Sequence, residues 1–142
     1  MKMIALEGID DHKIREIQKT LQQRIGDDDK IWDSFTGKYI VMSIFNDIEI
    51  DVEEMLENEE MLERYKVVFP VYLIPNKKEL VHKIRRKELD IEICDIDKIL
   101  HIYKKYLLKT PYEYFLLNTS YKTISQCAKE IWEEYLAREA RK

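Results

Sequence analysis

Apolar residues switch repeatedly between two spacings along this chain. Residues 2–9, KMIALEGI, alternate and then cluster as a buried strand does, and Ile14, Ile17, Leu21 and Ile25 follow at helical intervals. That predicts strand, tight turn, helix. RIGDDDKIWDSFTG is a polar connection, and its Asp27, Asp28 and Asp29 lack the alternating ligands and central glycine of a calcium loop. KYIVMSIF (38–45) is a continuous apolar run of strand length, as expected where both sheet faces are covered. DVEEMLENEEMLERY then puts Val52, Met55, Leu56, Met61, Leu62 and Tyr65 near one face of a helix, with carboxylates crowded on the other.

The second half repeats the alternation. KVVFPVYLIP (66–75) predicts another strand, in which Pro70 lacks a ladder donor and implies a sheet edge or a bulge. KKELVHKIRRKELD predicts a helix with a basic side. DIDKILHIYKKYLL (95–108) predicts one whose Ile96, Ile99, Leu100, Tyr103 and Leu107 pack inward. After Pro111, YEYFLLNTS (112–120) predicts a strand, and Thr123 with Gln126 three residues on forms a capping box for a last helix. Strands alternating with helices predict an α/β fold: a parallel sheet of four to five strands, counting a stub at KIW, with helices on both faces.

Composition supports one domain over residues 1–142. The chain is 45% hydrophobic and 37% charged, with only 3 Gly and 3 Pro, which favours long helices on short connections. No apolar run reaches bilayer length and the N-terminus turns acidic early, so a cytoplasmic protein without a membrane segment is expected. The net charge of −4 conceals two opposite halves: residues 1–64 hold 8 Lys/Arg against 17 Asp/Glu, residues 65–142 hold 16 against 11. Without a uniformly basic surface, nucleic acid is not the expected partner.

Single-residue chemistry is sparse. Cys94 and Cys127 lack a partner at ligand spacing, and neither His12 nor His101 has a carboxylate or cysteine arranged beside it, so no metal or cofactor is expected. The nine tyrosines, five between Tyr103 and Tyr121, are expected at the rim of the core. Glu53, Glu54, Glu57 and Glu60 form the heart of an acidic face that suits a basic protein partner or imitates nucleic acid.

The order of these segments resembles the thymidylate kinase-like nucleoside monophosphate kinases of the P-loop class. IALEGID is similar to their opening before the glycine-rich loop, and VVFPVYLIPNKKELVHKIRRKELDIEI, DIDKILHIYKKYLL and YEYFLLNTSYKTISQCAKEIWEEY resemble their later strands, basic lid, tyrosine-bearing helix and final helix. The resemblance implies a reduced P-loop kinase fold. Within it Gly8, Asp10 and Lys13 are the remains of the phosphate loop, and His82, Lys83, Arg85, Arg86 and Asp90 match a lid that binds anions. Family members are often dimers, so a homodimer is open.

The departures fall where the chemistry belongs. A working loop reads G-x-x-x-x-G-K-[ST], whose bare backbone amides curl around phosphate while the lysine neutralises charge and the hydroxyl holds magnesium. Here Asp11 and His12 stand where small residues belong, and no hydroxyl follows Lys13, which is the relic of the loop lysine only if two residues are deleted. Ser43 and Ile44 replace the family's Asp-Arg pair, and about a dozen residues stand in for the segment that builds the acceptor pocket. Asp10 and Asp11 instead suit a helix cap.

The expectation is therefore a catalytically degenerate nucleotide kinase-like protein, not an enzyme, that acts by binding another protein as regulator, inhibitor or complex subunit. Such a compact relative suits a viral or mobile-element genome. The alternatives are a non-catalytic nucleotide- or phosphate-binding module and a small active deoxynucleoside monophosphate kinase with an atypical loop.

Overall fold

A computed structural model describes residues 3–25, 31–32, 68–110 and 113–141. Its strands are β1 (Met3–Gly8), β2 (Ile31–Trp32), β3 (Val68–Leu73) and β4 (Phe115–Leu117). The helices are α1 (Asp11–Ile25), α2 (Lys77–Arg85), α3 (Ile96–Lys109, entered through a 3-10 turn at Ile93–Asp95) and α4 (Ile124–Ala140). Every pairing is parallel and the order is β2-β1-β3-β4. The α/β class and the parallel sheet stand as expected. The segment at 38–45 and the acidic run holding Glu53, Glu54, Glu57 and Glu60 lie outside the described residues.

Strand alternation divides the core in two. Ile4 and Leu6 of β1 and Phe69, Val71 and Leu73 of β3 point to one side, where they meet Ile14, Ile17 and Leu21 of α1 and Cys127, Ala128 and Ile131 of α4. Ala5 and Tyr72 point to the other, under Leu80 of α2 and Ile96, Ile99, Tyr103 and Tyr106 of α3. Helices thus cover both faces. Each fully buried aliphatic side chain contributes about 1.5 to 3 kcal/mol, so the two layers hold the sheet without long loops. Thr123 caps α4 as its spacing predicted, accepting from the Gln126 amide at 3.1 Å while Gln126 Oε1 accepts from the Thr123 amide at 2.8 Å.

Four expectations are corrected. β3 is not an edge strand, because β1 and β4 flank it; the β4 ladder starts at Val71↔Phe115, so on that side Pro70 interrupts no bond. α2 stops at Arg85 rather than running on to Asp90. Lys87 takes the left-handed conformation (φ 60°) that usually marks a helix end, with the Lys87 amide donating to Ile84 and the Glu88 amide to Lys83. β4 spans three residues, since Asn118 and Ser120 turn their polar groups to side-chain bonds. Tyr106 is wholly buried rather than at a rim, beside Tyr103, which packs inward as its helical spacing predicted, and their rings approach Tyr72 at centroid distances of 6.0 and 6.1 Å.

Among the described residues no helix is long and apolar enough to cross a membrane.

Candidate functional site

Only Ile9 and Asp10 separate β1 from α1. A turn that short has no room to wrap a polyphosphate, and its single glycine answers to packing. A Cβ on Gly8 would stand 2.5 Å from the Leu73 carbonyl oxygen, so β1 and β3 approach each other too closely there for any side chain. Asp10 is the cap of α1: Oδ1 accepts from the Lys13 amide at 3.2 Å and the backbone oxygen from the Ile14 amide at 3.0 Å. Its side chain is 6% exposed.

The same turn draws in α2. Asp10 Oδ2 pairs with the Lys83 ammonium, itself mostly buried. Lys13 reaches across to the loop after β4, donating to the Thr119 carbonyl at 2.9 Å and to Glu79 Oε1 at 3.5 Å. Glu79 Oε2 also accepts from Ser120 Oγ at 3.1 Å, and that hydroxyl accepts from the Asn76 amide at 2.8 Å. Asn118 closes the network, donating to Asn76 Oδ1 at 2.7 Å and accepting from the Ser120 amide at 2.9 Å. Two lysines and two carboxylates therefore neutralise one another at the carboxyl ends of the strands, where open α/β sheets place their ligands.

Helical spacing sorts α2 into adjoining stripes. Glu79 and Lys83, four apart, face the β1–α1 turn. Lys78, His82 and Arg86, also four apart, line a cleft of about 440 Å³ with Asn76, Ser120, Tyr121 and Glu79, whose carboxylate borders both the turn and the cleft. Tyr121 is 90% exposed and sits at φ 63°, a conformation uncommon for a bulky residue, so the backbone displays this ring at the cleft mouth. Arg86 lies 3.7 Å from Glu88 in an exposed pair, which leaves it solvated.

The candidate residues thus scatter. Gly8, Asp10, Lys13 and Lys83 gather at the closed turn, and His82 and Arg86 at the open cleft. Arg85 is exposed, and Asp90, beyond the end of α2, is exposed as well. Glu79, Lys78, Asn76, Asn118 and Ser120 were not picked out from the sequence. For Glu79 and Lys78 the fourfold spacing to Lys83 and His82 was the available signal.

Other reactive groups stand apart. Burial pushes the Cys127 thiol up against the opposing pull of Lys13, so it is held as thiol, and Cys94 is exposed on the 3-10 turn. Among the described residues no three His, Cys, Asp or Glu side chains converge as metal ligands would. Compared with protein-family models, curated proteins and solved structures, the chain matches none.

Proposed function

We propose that this chain is a non-catalytic protein of reduced nucleotide kinase-like architecture, its full sheet of four to five strands, and that it works by binding another protein. One observation carries the loss of catalysis: Lys13 and Lys83 are committed to Glu79, the Thr119 carbonyl and Asp10. Phosphoryl transfer rests almost wholly on positioning and on cations that face the transferring group. A triphosphate entering here would have to displace two carboxylates. Removing one well-placed stabilising group costs about 10²- to 10³-fold in rate, and here the cations, the hydroxyl and the small residues fail together.

The test is transfer from magnesium-ATP to deoxynucleoside monophosphates in a coupled assay, beside affinity capture from native cells with mass spectrometry. Background turnover and a stoichiometric protein partner are expected. Magnesium-dependent transfer that disappears in Lys13→Ala and Arg86→Ala overturns the proposal.

A second reading has its own observation, the cleft of Lys78, His82, Arg86 and Tyr121, where two cations outnumber the one lining carboxylate, Glu79, and with the displayed ring suit a small anionic ligand such as a nucleotide. Calorimetry with nucleoside mono-, di- and triphosphates decides it. No heat and no thermal shift removes it.

A further inference from the structure

Asn76 stands between two hollows. On one side it borders the charged cleft of Lys78, His82 and Arg86, and on the other a groove of about 360 Å³ between α3 and β4. Its side chain is fixed there, because Oδ1 accepts from Asn118 Nδ2 at 2.7 Å while Asn118 Oδ1 accepts from the Ser120 amide at 2.9 Å. Asn118 lines the groove and Ser120 the cleft, so one short hydrogen-bonded ridge is a wall of both. The two hollows differ in kind. Ile74, Pro75, Leu100, Leu107 and Leu116 give the groove apolar walls, and Lys104 is the one charged side chain among its lining residues. Asp97, seven positions before Lys104 and so on the same face of α3, is taken up by Lys77 at 2.8 Å. In the cleft Lys78 and Arg86 outnumber Glu79, whose two oxygens already face Lys13 and Ser120.

We propose that the two hollows form one site for a soluble single-chain amphiphile, an apolar chain ending in a phosphate, with its head in the cleft and its chain passing Asn76 into the groove. This rests on the anion-binding reading of the cleft given above and names the class of ligand. A phosphate suits the head, because Arg86 offers a planar fork of donors and Lys78 a point charge to its oxygens. The groove adds the demand for a chain. Its volume and mostly apolar lining are those of a small-molecule pocket, and Leu116, 50% exposed, is apolar surface that a bound chain would cover. A nucleotide held in the cleft leaves that surface against water. A charged helix would need its counterions along the groove, where Lys104 stands alone.

The test is calorimetry on the full chain with inorganic phosphate, butyl phosphate and octyl phosphate, all monomeric in solution. Each methylene fully buried is worth about fourfold in affinity, so octyl phosphate should bind at least about tenfold tighter than butyl phosphate. Arg86→Ala should weaken octyl phosphate about fivefold or more. Leu116→Gln should remove most of the gain from the longer chain and leave butyl phosphate unchanged. Both positions are exposed and melting checks the fold; the chain-length series on the unaltered protein decides even where a variant melts early. Equal affinity along the series, a chain-length gain untouched by Leu116→Gln, or a loss in Lys104→Ala without one in Arg86→Ala overturns the proposal. Equal capture by vesicles of phosphatidic acid overturns it too, since the ligand is then a bilayer surface. The parent reading fails separately: phosphate or nucleotide binding with no gain from the chain leaves the anion cleft and removes the joined site, whereas no heat with any anion removes both.

Discussion

The two ends of α2's charged surface lie one residue apart and behave oppositely. Lys83 turns inward to Asp10 and, with Lys13 and Glu79, makes a closed neutral knot at the end of β1. His82, its neighbour, turns to an open cleft with Lys78 and Arg86. The knot's cations are mostly buried and paired, Lys13 and Lys83 leaving 12% and 16% of their side chains exposed; Lys78 and Arg86 of the cleft are exposed. A basic run in a sequence therefore says little about anion binding until each side chain's partner is known. Here one helix turns Lys83 to architecture, pairs Lys77 with Asp97 and leaves Lys78 exposed at the cleft.

That contrast is broken most directly by removing Lys83. Lys83→Met leaves the Asp10 carboxylate 6% exposed and without its ammonium, and stripping one member of a buried pair costs about 3 to 5 kcal/mol. Urea unfolding at neutral pH should show that loss, and adding Asp10→Asn should restore most of it, since the amide still caps α1. A Lys83→Met loss below about 1 kcal/mol would mean that the pair is solvated and the knot is not closed.

The far side of the sheet sets the pH window for such measurements. Burial pushes the Tyr135 phenol up to about 12, with Glu139 adding to the rise. The folded chain therefore keeps its proton where the unfolded chain, near pH 10, gives it up. The stability this contributes is whole below pH 10 and is lost as pH climbs toward about 12, to a limit of roughly 3 kcal/mol. Cys127 works in the same direction. Tyr135→Phe should flatten the alkaline decline measured by denaturant midpoints from pH 8 to 12; an unchanged decline would assign it elsewhere.

Gly8→Ala probes the knot from its backbone. The new Cβ would press on the Leu73 carbonyl oxygen, and forcing β1 from β3 should cost about 2 kcal/mol. If the glycine instead served a ligand, the substitution would leave unfolding unchanged and alter binding.

How much of this was legible follows the range of each interaction. The core strands, α1, α3 and the Thr123 cap could be read because period and capping are local, and Asp10 as a cap needs only its place between a strand and a helix. The knot could not be read, since Lys83 meets Asp10 across 73 positions and Lys13 meets the Thr119 carbonyl across 106. No local rule fixes such distances. The end of α2 escaped for another reason: Lys87 adopts a conformation that glycine usually announces. Tyr106 escaped because a tyrosine's hydroxyl suggests a surface, whereas it joins Tyr103 and Tyr114 around the buried Tyr72 ring.

The smallest expected effect is the one on which the contrast depends. Arg86→Ala and His82→Ala remove exposed side chains from the cleft, and surface changes of that kind stay within about 0.5 kcal/mol. Among the described residues the Arg86 side chain pairs with Glu88, at 3.7 Å and exposed to solvent, where such pairs contribute little. Urea midpoints for both variants should overlay the parent. If either falls by more than about 1 kcal/mol, the cleft is part of the same structural knot, α2 has no free side, and a small anion has no more opening at His82 than at Lys83.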